Sequence, residues 1–120
     1  MKKTRRKGSL GLLLVSLLLS LDASALTIEG FRAICAANDV TCEQIPVLQA
    51  YVGGALDMIA TLDERTEYLG TVYCRTPKQL FDVPAIIRHV ETAAAPDSDV
   101  NAMTLVVDYL VRNGGCQQRR

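Results

Sequence analysis

Residues 42–62, CEQIPVLQAYVGGALDMIATL, constrain this chain more than any other stretch. Ile45, Leu48, Val52, Ala55, Leu56 and Ile59 recur at the three- and four-residue steps that place side chains on one helical face. Thr41 is a candidate cap, and Pro46 falls in the first turns, where a missing N–H costs little. An apolar stripe of this length needs other helices to cover it, so the pattern predicts a small helical bundle with this helix at its centre. Gly53-Gly54 interrupts it. Each interior glycine costs roughly 1 kcal/mol against alanine, so the pair predicts a second backbone packed closely against it.

The fold begins after an export signal. Lys2, Lys3, Arg5, Arg6 and Lys7 precede an apolar run over residues 10–21, and Ala23-Ser24-Ala25 supplies a small-residue cleavage pattern. That three-part layout is a secretory signal peptide over residues 1–25, and its apolar run is too short for a membrane span. The expected destination is the periplasm, with no membrane association after cleavage. Residues 26–120 then form one small domain. The whole chain balances 13 basic against 13 acidic residues; the leader takes five basic residues and Asp22, leaving 8 against 12 and a net charge of −4. Phosphate binding needs a basic surface, so no nucleic-acid partner is expected and a basic protein partner fits better.

Cys35, Cys42, Cys74 and Cys116 all lie in the mature part. An even count in a small exported domain reads as two disulfides. A metal site would want more than the single histidine present, and no CxxC pair occurs. Of the three possible pairings, the expected one joins Cys35 to Cys42 as a short staple and Cys74 to Cys116 as a clasp on the C-terminus. The second would close a loop of about 40 residues, worth roughly 4 kcal/mol on the chain-entropy model.

A first helix is expected over residues 27–37, with Thr27 as N-cap, Glu29 in the first turn and Ile28, Phe31 and Ile34/Cys35 inward. Residues 63–78 lose the helical period and read as a long surface connection tied down by Cys74. A third helix starts at Asp82-Val83-Pro84 and runs to about residue 94, with Val83, Ile86, Ile87 and Val90 inward; Pro84 argues against a start at Pro77. A fourth, capped by Ser98 or Asp99, runs to about residue 112 with Val100, Met103, Val106/Val107 and Leu110 inward, and Asn113-Gly114-Gly115 stops it. The class is all-α: a small four-helix domain stapled by two disulfides.

Catalytic constellations are scarce. No Ser-His-Asp set, GxSxG, HExxH or phosphate-cradling glycine loop occurs, and no cofactor site is expected. Asp57, Asp63, Glu64 and Glu67 read as a solvated charged face, and His89 as a half-exposed surface residue. The chain is not expected to be an enzyme.

Several residues in order resemble a known family. Cys42 leads into Tyr51-Val52-Gly53-Gly54-Ala55-Leu56-Asp57, in which Tyr51, Gly54 and Asp57 carry the match; Cys74 with Pro77, Ile86-Ile87 and Cys116 extend it. The pattern resembles the Rap/Tai immunity proteins, which protect bacteria with type VI secretion from their own peptidoglycan amidase effectors. Two features depart from it: Gly114-Gly115 stands where the family commonly has an aromatic-proline pair, and the link over residues 78–81 is longer. The resemblance implies a helical homodimer that binds a peptidoglycan amidase effector and blocks its active-site cleft. The expected contacts lie in the protruding segment over residues 63–77: Glu64, Arg65, Glu67, Tyr68, Tyr73 and Arg75, since tyrosine and arginine are common interface anchors.

A reading from another class is an acid-stress chaperone of the HdeA kind, which Thr41-Cys42-Glu43 resembles. Such proteins are also small, exported, helical and disulfide-bonded, and hold unfolded clients on apolar surface exposed at low pH. Four cysteines rather than one pair, and a tail with few basic residues, favour the immunity reading.

Overall fold

The computed structural model describes residues 25–65, 73–95 and 97–116. Residues 1–24 of the leader therefore lie outside the described residues, as do Glu67 and Tyr68. Four helices carry the fold: α1 (Ile28–Ala36), α2 (Pro46–Arg65), α3 (Val83–Thr92) and α4 (Met103–Asn113). The disulfides pair as expected, Cys35 with Cys42 and Cys74 with Cys116.

Two helix starts follow their local chemistry. Thr27 is extended (φ −79°, ψ 164°) and its Oγ1 accepts the Gly30 N–H at 3.0 Å. Asp82 does the same for α3, its Oδ1 accepting the Ala85 N–H at 3.1 Å, with Pro84 in the first turn where no donor is lost.

The stretch expected as one helix from residue 42 is broken. Cys42–Gln44 forms a 3-10 turn, Ile45 is extended (ψ 115°), and the α-helix starts at Pro46. The cause is local: the proline ring disfavours helical backbone at the residue before it. Thr41 consequently caps nothing with its side chain. At the other end α2 continues past residue 62 to Arg65. Pro77, expected within a loop, opens a one-turn helix, Pro77–Leu80, for the same reason that Pro84 opens α3.

The centre of the bundle is α3, not α2. Among the described elements α3 packs against α1, α2, α4 and the 3-10 turn, and its Ile86, Ile87 and Val90 are wholly buried. Phe31 from α1, Leu48 and Val52 from α2, and Val106 and Leu110 from α4 meet them, each with no exposed surface. Arg32 ties α1 to the end of α3, its guanidinium donating to the Val90 and Ala93 carbonyls at 3.1 and 2.6 Å. These are among the carbonyls a helix C-terminus leaves without internal partners. By contrast α2 leaves Val47 (59%) and Met58 (61%) in solvent.

The Gly53-Gly54 expectation is overturned. A Cβ built at either glycine meets nothing within 4 Å. No second backbone lies there, so their helix-propensity cost is not offset by packing within the described residues.

The start of α4 is also later than expected. Ser98 and Asp99 do not cap it, because the preceding backbone is engaged elsewhere. The Ile28 N–H donates to the Val100 carbonyl, Glu29 to Ser98, and Ala102 to Leu26, at 3.0, 3.0 and 2.8 Å, forming an isolated antiparallel bridge between Thr27 and Asn101. Asn101 Oδ1 accepts the Met103 N–H at 2.9 Å instead. Val100 and Val107, expected inward, are both 37% exposed. No described helix is long and apolar enough to cross a membrane, and two disulfides fit an oxidising compartment outside the cytoplasm.

Candidate partner-binding surface

The expected contact residues fall at the two ends of residues 66–72. Glu64 and Arg65 occupy the last turn of α2 and are exposed. Arg75 is exposed on the far side. Its backbone is held in place: the N–H groups of Cys74 and Arg75 both donate to the Gly114 carbonyl at 2.8 Å, and Cys74 is bonded to Cys116. One carbonyl oxygen with two lone pairs thus pins two consecutive residues against the end of α4. The Arg75 side chain lies across Gly115, whose φ of 71° suits glycine.

Tyr73 is not a contact residue. It is 6% exposed and packs edge-on against Phe81 with ring centroids 5.5 Å apart. Its hydroxyl is buried without a hydrogen-bond partner. Burial, reinforced by the Asp63 and Glu64 carboxylates, pushes its pKa up. The end of α2 and Tyr73 therefore converge. A tyrosine in a charged segment read as an anchor; its place between Val72 and Cys74 was the available sign of burial.

The three motif residues do not form one site. Tyr51 is structural: its ring meets Phe31 edge-on at 6.3 Å and its hydroxyl donates to Asn101 Oδ1 at 3.3 Å, linking α2 to the turn before α4. Burial pushes its pKa up. Gly54 and Asp57 face solvent.

A cluster not expected from sequence joins α3 to α4. His89 Nε2 lies 2.9 Å from Asp108 Oδ2, Arg112 Nε donates to the same carboxylate at 2.8 Å, and the His89 ring meets Tyr109 edge-on. Asp108 and Arg112 are readable as a four-residue helical pair, but His89 enters only through the packing of α3 on α4. The Arg112 hydrogen bond, more than His89, holds the Asp108 carboxyl below the ordinary carboxylate range. A depressed carboxyl contributes stability that is present above its unfolded pKa and lost as pH falls through the folded one. The melting temperature is therefore expected to fall between pH 5 and pH 3 more steeply in the natural chain than in Asp108→Asn. Parallel slopes in thermal melts would assign the acid sensitivity to other carboxylates.

Among the described residues the one group with metal-ligand types close together is Cys35, Cys42 and Glu91, whose ligand atoms lie within 4.8 Å of one another. The two sulfurs are bonded to each other and offer no thiolate. An apolar depression of about 150 Å³, lined in part by Ile28, Ala95, Val100 and Leu105, is smaller than ligand pockets usually are. Compared with known proteins, the chain matches no family model, no curated protein and no solved structure.

Proposed function

We propose that this protein is an exported immunity protein that binds a peptidoglycan amidase effector of type VI secretion and occludes its cleft. The observation that carries the reading is the presentation of Arg75: an exposed cation on a backbone held by two hydrogen bonds and a disulfide. Glu64 and Arg65 supply exposed charge at the other end of the same segment. A contact surface fixed before binding loses less conformational entropy on association. The motif order from Cys42 to Cys116 and the net acidity of the mature chain support the same reading, since an acidic domain is steered towards a basic cleft rim. The amidase is the partner, the periplasm the site of action, and the chain itself performs no chemistry. A homodimer is part of the proposal, and the exposed Val47 and Met58 of α2, with open space at Gly53 and Gly54 between them, are the apolar surface such a pairing would use.

The test is titration of the processed chain into a periplasmic peptidoglycan amidase encoded beside it. Saturable, stoichiometric loss of hydrolysis is expected, and replacing Tyr68 and Arg75 by alanine should weaken inhibition at least tenfold while leaving the thermal melt in place. No inhibition, together with suppression of client aggregation at acid pH, would replace this reading with the chaperone one.

A further inference from the structure

The two disulfides sit in different chemical surroundings. Cys42 is 3% exposed, Cys35 is partly covered, and the Glu91 carboxylate lies within 4.8 Å of both sulfurs. A thiolate approaching that bond meets little open surface and a like charge. Cys74 is exposed and Cys116 partly so. The side chain of Arg75, next in sequence to Cys74, lies with its Cγ and Nε against Gly115, the residue before Cys116. Exchange requires an attacking thiolate to reach one sulfur and the other to leave as a thiolate, and a neighbouring cation favours both.

We propose that Cys74–Cys116 is a site of reversible thiol–disulfide exchange, opened by a glutathione or dithiol reductant while Cys35–Cys42 stays closed. The incoming thiolate attacks Cys74 Sγ, the S–S bond breaks, and Cys116 leaves as a thiolate that takes up a proton. A second thiolate of the reductant attacks its own sulfur in the mixed disulfide and releases Cys74, which is protonated in turn. The protein disulfide gains two electrons and the reductant ends as a disulfide. Once the bond is open, the Tyr73–Arg75 backbone loses its covalent tie to the end of α4, and the two hydrogen bonds that its Cys74 and Arg75 amides give the Gly114 carbonyl open more readily.

The accessibility argument is independent of the amidase reading; only the consequence for Arg75 as a partner contact rests on that reading. The experiment reads bond opening, so the two can fail separately. The oxidised chain is incubated with reduced glutathione under native conditions, quenched by alkylation, and each cysteine peptide is quantified over time. Cys74 and Cys116 should become alkylated at least tenfold faster than Cys35 and Cys42. Arg75→Ala should slow that opening about threefold or more, and Glu91→Gln should leave it unchanged. Hydrogen exchange on the partly reduced chain should show lost protection at the Cys74 and Arg75 amides and retained protection in α3. Opening of both bonds with one rate constant, earlier opening of Cys35–Cys42, or simultaneous loss of protection in α3 would overturn the proposal.

Discussion

Replacing Phe31 by alanine is expected to destabilise the domain by about 4 kcal/mol, the largest effect of any single truncation here. Its ring has no exposed surface and fills the space where α1 meets α2 and α3. Truncation loses the transfer free energy of the ring and leaves a cavity that disulfide-stapled helices cannot readily close. It also removes the edge-on partner of Tyr51, and such aromatic pairs add about 1 kcal/mol beyond area burial. A domain of this size is held by on the order of 10 kcal/mol or less, so roughly half of the total would go. Urea denaturation followed by far-ultraviolet circular dichroism of the helices measures it. Phe31→Leu, which keeps most of the volume, should lose under half as much. A loss below 2 kcal/mol for Phe31→Ala would show that α1 is held chiefly by Cys35–Cys42 and by Arg32.

Gly114→Ala should cost about 3 kcal/mol for a different reason. Its backbone (φ −68°, ψ −12°) suits any residue, so conformational strain plays no part. The obstacle is space: an added methyl would lie 2.7 Å from Tyr73 Cα and 2.8 Å from Tyr73 Cβ, and would press on the Leu110 carbonyl oxygen. Two of these three neighbours are backbone atoms, which cannot rotate aside. Overpacking of this kind typically costs 1–3 kcal/mol. Moving Tyr73 away strains the two hydrogen bonds to the Gly114 carbonyl, each worth about 1 kcal/mol. Gly115→Ala is the comparator. Its φ of 71° costs a side chain about 1–2 kcal/mol, but the atoms in its way belong to the flexible Arg75 side chain. The expected order of midpoints is natural chain, Gly115→Ala, then Gly114→Ala. A reversed order would mean that the contact between Tyr73 and the end of α4 is loose in solution, and the clasp surface with it.

The acid-sensitive tie between α3 and α4 belongs to the same picture. His89, Asp108 and Arg112 hold α4 along one seam while Gly114 and Cys116 hold its end. The end that carries the proposed contact surface is therefore tethered by the Asp108 carboxylate, whose charge falls with pH, and by the Cys74–Cys116 bond proposed as the thiol-sensitive one.

How far the chain could be read in advance follows the range of the forces involved. Thr27, Asp82 and Pro84 announced two helix starts because a cap and its N–H lie three residues apart, whatever surrounds them. That the four cysteines form two bridges was legible from their even count in a small domain, whereas the pairing was one of three and was favoured only for the seven-residue spacing of Cys35 and Cys42. The break at Ile45 is also written locally, in Pro46, but the apolar period runs through it and hides it. Other features had no local signal. Gly53 and Gly54 suggested a close neighbour, yet which face of α2 meets the core is settled by α3. Tyr73 carried the composition of a surface anchor and became core once Gly114 left room for it. The late start of α4 depends on backbone pairing with Leu26 and Ile28, more than 70 positions away. Residues 26–120 by themselves determined the helical class, the caps at Thr27 and Asp82 and the presence of two bridges, because these rest on interactions a few residues long or on the count of cysteines. Only the tertiary structure decided that α3 is the centre, that Tyr73 is buried and that Arg75 is presented, because each depends on which distant backbone occupies the space beside it.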